Sequence, residues 1–175
     1  METWEAIRSR RDVRSFTGEP VPDDHLNEIL EAGRRAPSSQ NWQPWDFVVI
    51  SDRSALSELS EVQHSGGSGH VATAGAAVAV VASVVDPADA GRLRRLYFDL
   101  GQAVMSMLLA AAGLRIASGH AGVFDQDLAR KVLGLPSDKF CAHLISFGYP
   151  ADRPLDLIRN PARRPFDEVV HRDRW

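Results

Sequence analysis

Arg10, Arg11 and Arg14 crowd three guanidinium groups around Asp12 and Val13, and a second basic pair, Arg163-Arg164, stands near the C-terminus. A guanidinium is a planar fork of donors, always charged, that can grip two phosphate oxygens at once. Spacing of four sets Arg10 and Arg14 on one side if the first helix runs through them. Asp12 is placed to orient an arginine. Between the two basic groups lies Arg35-Ala36-Pro37-Ser38-Ser39-Gln40-Asn41-Trp42-Gln43-Pro44-Trp45-Asp46-Phe47. Its hydroxyls, amides and indoles exceed what a turn requires, and they suit a polyol chain beside a planar ring. Together these donors point to a phosphorylated aromatic ligand.

Other chemistry-bearing groups lead to blander readings. His64 to His70 is glycine-rich and reads as a mobile loop or lid. It lacks the Gly-Lys-Ser/Thr ending that gives a P-loop its mechanism. Its two histidines have no third ligand at metal spacing, so no metal is expected. Ser118-Gly119-His120 sits in no Gly-x-Ser-x-Gly elbow, which argues against a hydrolase. Gly119 and Gly122 read instead as points where backbone N–H groups approach a ligand closely. Cys141, the single cysteine, falls in a predicted buried strand and reads as an inert core thiol. One cysteine also excludes an intrachain disulfide and fits a reducing cytoplasm.

The elements that must position these residues are those of one mixed domain spanning residues 1–175, long enough to bury a core without staples. A short helix carries Trp4 and Ile7. A second runs from Asp23 toward Pro37, with Leu26, Ile29 and Leu30 on one face. Strands are predicted at 46–51, 76–85, 114–118 and 139–148, and further helices at 52–62, 92–112 and 125–133. The 119–124 stretch reads as a loop. The 92–112 helix is apolar nearly all round through Val104 to Leu109, which predicts burial or a subunit interface. Beyond Ala151 only an extended piece at 166–171 is expected, in a tail that needs another surface to stay ordered. The apolar run at 72–85 falls short of the roughly 18 to 20 residues of a spanning helix, so no membrane association is expected. A net charge of −3 gives no global basic field and argues against nucleic acid. The N-terminus shows no basic region followed by an apolar one, so a cytoplasmic location is expected.

Four segments in this order resemble the flavin-dependent nitroreductase family. They are Arg10-Arg11-Asp12-Val13-Arg14-Ser15-Phe16; Ala36 to Trp45; Gly122-Val123-Phe124 before Gly134-Leu135-Pro136; and Phe147-Gly148-Tyr149-Pro150 followed by Arg163-Arg164-Pro165-Phe166. The likeness implies an α+β fold with a central, mostly antiparallel sheet surrounded by helices, and an interlocked homodimer. FMN would bind non-covalently at the interface, reduced by NADH or NADPH and reoxidised in ping-pong fashion by a small acceptor such as a nitroaromatic or quinone. The flavin carries the chemistry, so no catalytic side chain is implied.

Carried onto this sequence, Arg10, Arg11, Asp12 and Arg14 serve the phosphate and the pyrimidine side of the flavin. Pro37, Ser38, Ser39 and Asn41 reach the flavin of the other subunit. Backbone at Ala121 and Gly122 faces N5, and Arg163 or Arg164, on an arm of about residues 151–175 packed on the partner, closes on the phosphate. Two departures stand out. Asp12 occupies a position where many members have serine, and 63–74, often helical in relatives, is reduced to a glycine loop. Two further readings stay open: a flavin-fragmenting 5,6-dimethylbenzimidazole synthase, which shares the Arg-Arg-Asp-Val-Arg pattern, and a non-catalytic flavin-sequestering protein.

Overall fold

A computed structural model describes residues 2–63 and 66–175. Four antiparallel strands form one sheet in the order β1-β2-β4-β3, with β1 Asp46–Ile50, β2 Ala76–Ser83, β3 Ala117–Gly122 and β4 Lys139–Gly148. Alternation along β2 splits its small side chains between two cores. Ala76, Val78, Val80 and Ala82 face α2 (Asp23–Arg34) and α4 (Ala90–Gly113), whereas Ala77, Ala79 and Val81 face α3 (Arg53–Leu59) and α5 (Gln126–Leu133). Helices therefore cover both faces of the sheet, an α+β arrangement.

Side-chain caps set three of the helix starts. Asp52 accepts from Ala55 N–H, Asp89 from Arg92 N–H and Asp125 from Leu128 N–H, each at 2.9 Å. The central helix α4 buries Leu96, Leu100, Ala103, Met107 and Ala111 at helical spacing. Gly33 lets α2 cross it closely, because a Cβ there would stand 2.7 Å from Met107 Cγ. By length and composition α4 is apolar enough to cross a membrane, but half of that window is buried inside this fold. Its outer side carries an exposed apolar stripe at Phe98, Gly101 and Met105.

Three sequence expectations need correction. The stretch predicted as a short strand at 114–118 followed by a loop is instead a turn followed by β3 at 117–122. Arg115 takes a left-handed φ of 62° in that turn, and Ile116 N–H reaches back to the Ala111 carbonyl. The two glycines suggested a loop because they lack side chains, yet both lie in a strand, where Gly119 allows close packing. The piece at 166–171 contains a short helix, α6 (Phe166–Val169), rather than extended chain.

The third correction concerns the loop ending at His70. Residues 69–73 form a 3-10 turn whose carbonyls at Ala72 and Ala74 accept from the Arg53 guanidinium. Ser68 is buried, accepting from Gln63 N–H and donating to the Ser60 carbonyl at 2.6 Å. An anchored turn cannot serve as a gate at Ser68 to His70. His64 and Ser65 lie outside the described residues.

Candidate functional site

The arginine segment does not extend a helix. The first helix, α1 (Thr3–Ser9), stops at Arg10, and the chain beyond it joins the sheet by two isolated bridges, Asp12 with Ser118 of the edge strand β3 in parallel and Phe16 with Pro150 just after β4. Val13 N–H donates to the Ser118 carbonyl at 2.8 Å, and the Val13 and Phe16 side chains bury with Ala74, Ala117 and Leu155. Arg10 Nη1 meets Asp12 Oδ1 at 3.0 Å, and Arg14 Nη2 lies 3.8 Å from Asp12 Oδ2. Asp12 thus aligns two guanidiniums, and its charge is offset by both.

Arg11 points the other way. Its Nη2 donates to Asp152 Oδ1 and to the Arg153 carbonyl, both at 2.7 Å, and only 12% of its side chain is exposed. This pairing holds the Asp152 carboxyl down to about 2. Arg11 fastens the chain after β4 to the arginine segment and is committed there.

Beside Arg14 sits a residue the sequence reading had assigned to a lid. His70 is buried between Phe16 and β4, with Nδ1 2.9 Å from Ser146 Oγ and Nε2 3.4 Å from Arg14 Nη1. A guanidinium has no acceptor, so Nε2 is the accepting nitrogen and Nδ1 carries the proton. Burial, then the Arg14 charge, lowers His70 to about 4. An imidazole pair joins β3 to β4: His120 Nε2 is 3.0 Å from His143 Nδ1, with ring centroids 4.7 Å apart. Burial also lowers both of these, His143 to about 4.

These buried neutral histidines make stability depend on pH. Folded pKa values near 4 against the ordinary 6.5 mean that the unfolded chain binds protons which the folded chain refuses between those limits. Stability is expected to be full above about pH 6.5 and to fall as pH drops toward 4. Urea midpoints at pH 7 and pH 5 check this, and His143→Asn should flatten the difference.

Ala121 and Gly122 are strand residues rather than loop residues. Ala121 buries its methyl in the α3/α5 core, and Gly122 pairs with His143 of β4. A Cβ on Gly122 would touch only Phe124, at 3.8 Å, so space is open over its backbone. Gly119 is different, since a Cβ there would collide with the Val13 carbonyl oxygen and stand 2.9 Å from His70 Nδ1. That glycine allows the arginine segment and His70 to close on β3.

The Pro37–Asn41 loop is held on α4. Asp99, only 1% exposed, accepts from Ser39 N–H at 3.0 Å, and Gln102 Nε2 donates to the Pro37 carbonyl at 3.3 Å. Ser38 Oγ accepts from Gln43 N–H, and Asn41 Oδ1 accepts from the Gln43 amide. Gln40, Asn41 and Gln43 all take positive φ, between 48° and 58°, a local strain that the Asp99 anchor and the two tryptophans must hold. Trp45 is buried and stacks on Phe47, and Trp42 packs on the core with Arg92 over its ring at 5.0 Å. Trp45 serves the protein interior, which corrects the sequence expectation for it, whereas Trp42 is half-buried and borders a surface groove with Ser39, Gln40 and Arg92.

Arg163 and Arg164 lie on an arm whose residues from Arg159 to Trp175 are all exposed. Arg164 pairs with Glu168. Arg163 and Arg10 line one groove of about 710 Å³ with Trp4, Ile7, Met105 and Leu109. The Pro37 loop borders a different groove with Arg94, Arg95 and Phe98. Arg95 and Met105 stand ten residues apart on α4, about 15 Å along its axis. One chain therefore assembles the arginines and β3 in one place and the hydroxyl loop in another. Cys141 is buried, and its thiol is pushed up to about 12, as an inert core cysteine requires. Among the described residues no group of three metal-ligating side chains occurs.

Residues 7–149 match the family model described as the nitroreductase family. The chain belongs to the nitroreductase family. An Archaeoglobus fulgidus protein whose name pairs NADH dehydrogenase with NAD(P)H nitroreductase is 32% identical, over 99% of each chain. A Vibrio harveyi NADPH-flavin oxidoreductase is 27% identical over 99% of this chain and 74% of its own length. The solved FMN-dependent nitroreductase of Clostridium difficile R20291 superposes with a TM-score of 0.83 at 23% identity, covering 98% of this chain and 99% of its own.

Sequence reasoning missed Asp99, Ser146, the His120–His143 pair and the structural use of Arg11. Asp99 alone left a signal, as a lone acid within an apolar helix.

Proposed function

We propose that this nitroreductase-family chain is a cytoplasmic oxidoreductase that holds FMN and passes electrons from NADH or NADPH to a small acceptor such as a nitroaromatic or quinone, by ping-pong exchange. The observation that carries this reading is the row Arg10-Asp12-Arg14, laid beside β3 by the bridge from Asp12 to Ser118. The donor set fits the cofactor. Two guanidiniums suit a phosphate dianion and the electron-rich pyrimidine edge, and the open backbone at Gly122 suits a flat ring at close range. Bound FMN supplies hydride acceptance and return.

The protein's own part is to hold and orient. Arg10 and Arg14 bind anionic oxygens, with Asp12 fixing their directions, and Arg11 keeps the segment seated. Backbone at Ala121 and Gly122 offers hydrogen bonds, and Arg163, on the rim of the Arg10 groove, closes over it, with Arg164 beside it on the arm. Pro37, Ser38, Ser39 and Asn41 contribute from a second copy. Their separation from Arg10 along α4 supports this arrangement, because a two-fold pairing of α4 on its exposed stripe brings one copy's loop toward the other's arginines. The arm's exposed part, from 159 to 175, then gains the surface it lacks in one chain. Names of relatives that include a flavin and a nicotinamide donor support the same reading.

Arg14→Ala is expected to weaken FMN binding by about 1.5–3 kcal/mol, the usual worth of a hydrogen bond to a charged group. Titrating apoprotein with FMN and with riboflavin checks where Arg14 acts. A loss for both ligands places Arg14 on the ring, a loss for FMN alone places it on the phosphate, and no loss for either removes it from the site.

A further inference from the structure

Arg92, Arg94 and Arg95 occupy the first turns of α4, and the arginine segment at 10–14 makes no use of them. All three are exposed, and among the described residues none forms an ion pair. The first turn of α4 has no acidic residue. The nearest acid, Asp89, has its Oδ1 occupied in capping Arg92 N–H, and Asp99 is turned to Ser39. Placing three cations where the helix dipole is positive costs stability that acids would offset. A merely solvating surface has no need of that arrangement.

The surroundings add shape to the charge. Arg92 and Arg95 border a groove of about 350 Å³ with Ser39, Gln40, Trp42 and the capping Asp89. Arg95 also borders the neighbouring groove of about 600 Å³, with Arg94, Phe98 and Ser38. Arg92 Cζ stands 5.0 Å from the centroid of the half-buried Trp42 ring, so a guanidinium and an indole lie together at the first of these grooves. Planar surfaces interleaved with guanidiniums recognise a phosphate carried on an aromatic base. Both grooves open beside the Ser38–Asn41 loop.

We propose that Arg92, Arg94 and Arg95, with Trp42, form a binding site for the phosphorylated adenosine end of the nicotinamide donor, and that they select NADPH over NADH through its additional 2′-phosphate. This rests on the oxidoreductase reading above. The FMN phosphate goes to Arg10, so the two basic groups divide two phosphates between them. Losing one charge-assisted bond to the 2′-phosphate corresponds to roughly 10- to 150-fold in affinity.

The test uses FMN-loaded protein and the double variant Arg92→Ala/Arg95→Ala, with Arg94→Ala made separately. The double variant should keep its flavin absorbance, while its ratio of kcat/KM for NADPH to that for NADH falls within that range. Calorimetric binding of 2′,5′-ADP should weaken equally, and binding of 5′-AMP far less. An unchanged donor ratio with unchanged 2′,5′-ADP binding overturns the proposal. Equal weakening of 2′,5′-ADP and 5′-AMP overturns the 2′-phosphate assignment. If the loss appears only with a carboxylated nitroaromatic acceptor and not with its uncharged parent, the site belongs to the acceptor and the donor assignment is wrong. Should neither nicotinamide reduce the wild-type flavin, the oxidoreductase reading fails, and the 2′,5′-ADP titration still decides the site.

Discussion

Met105→Glu is expected to yield a folded monomer that no longer retains FMN. Met105 is 46% exposed on α4, in line with Phe98 and Gly101, and a Cβ on Gly101 would meet nothing within 4 Å. A helix face that is apolar, solvent-facing and small at its centre invites a second copy. Around a two-fold axis a new carboxylate would face apolar surface and its own symmetry mate, so each chain would bring one uncompensated charge into the contact. Folding of the single chain should change by no more than about 0.5 kcal/mol, because the side chain packs little within it. Sedimentation with absorbance at the flavin bands measures mass and cofactor together. A variant that stays dimeric and yellow would remove α4 from the interface, and with it the assignment of Ser38, Ser39 and Asn41 across it.

Gly119→Ala is expected to damage both fold and site. Its added methyl must displace either the Val13 carbonyl or the His70 ring. The first breaks the bond from Val13 N–H to Ser118 that seats the arginine segment, and the second pulls His70 from Ser146 and Arg14. Overpacking of this kind costs about 1–3 kcal/mol. Thermal unfolding should show the loss, and FMN titration should show weaker binding than in the wild type. Wild-type stability and FMN affinity in Gly119→Ala would mean that the close packing at β3 is unimportant for the site.

Much of the framework was legible in the sequence because its elements carry strong periodicity. The β-branched run in β2 and the apolar faces of α2 and α4 each point to one structure, and the aspartate caps mark α3 and α5. Errors fell where a residue's role depends on distant partners. Arg10 and Arg14 meet at Asp12 outside any helix, because α1 stops at Arg10 and Val13 buries against Ala117 and Leu155. Gly119 and Gly122 looked like loop residues, yet one of them exists to admit neighbours from residues 13 and 70. His70 meets Ser146 and His120 meets His143 across strand pairings that local patterns do not announce. Trp45 looked like ligand surface, but tertiary packing claims it first.

The most direct test of the central claim is an anaerobic titration of purified, FMN-reconstituted protein with NADPH and NADH, followed by an acceptor. The account predicts one tightly held FMN per chain, oxidised-flavin absorbance bleached stoichiometrically by a nicotinamide donor, and its full return when a quinone or nitroaromatic is added. Failure to retain FMN, or retention of a flavin that no nicotinamide donor bleaches, would contradict it.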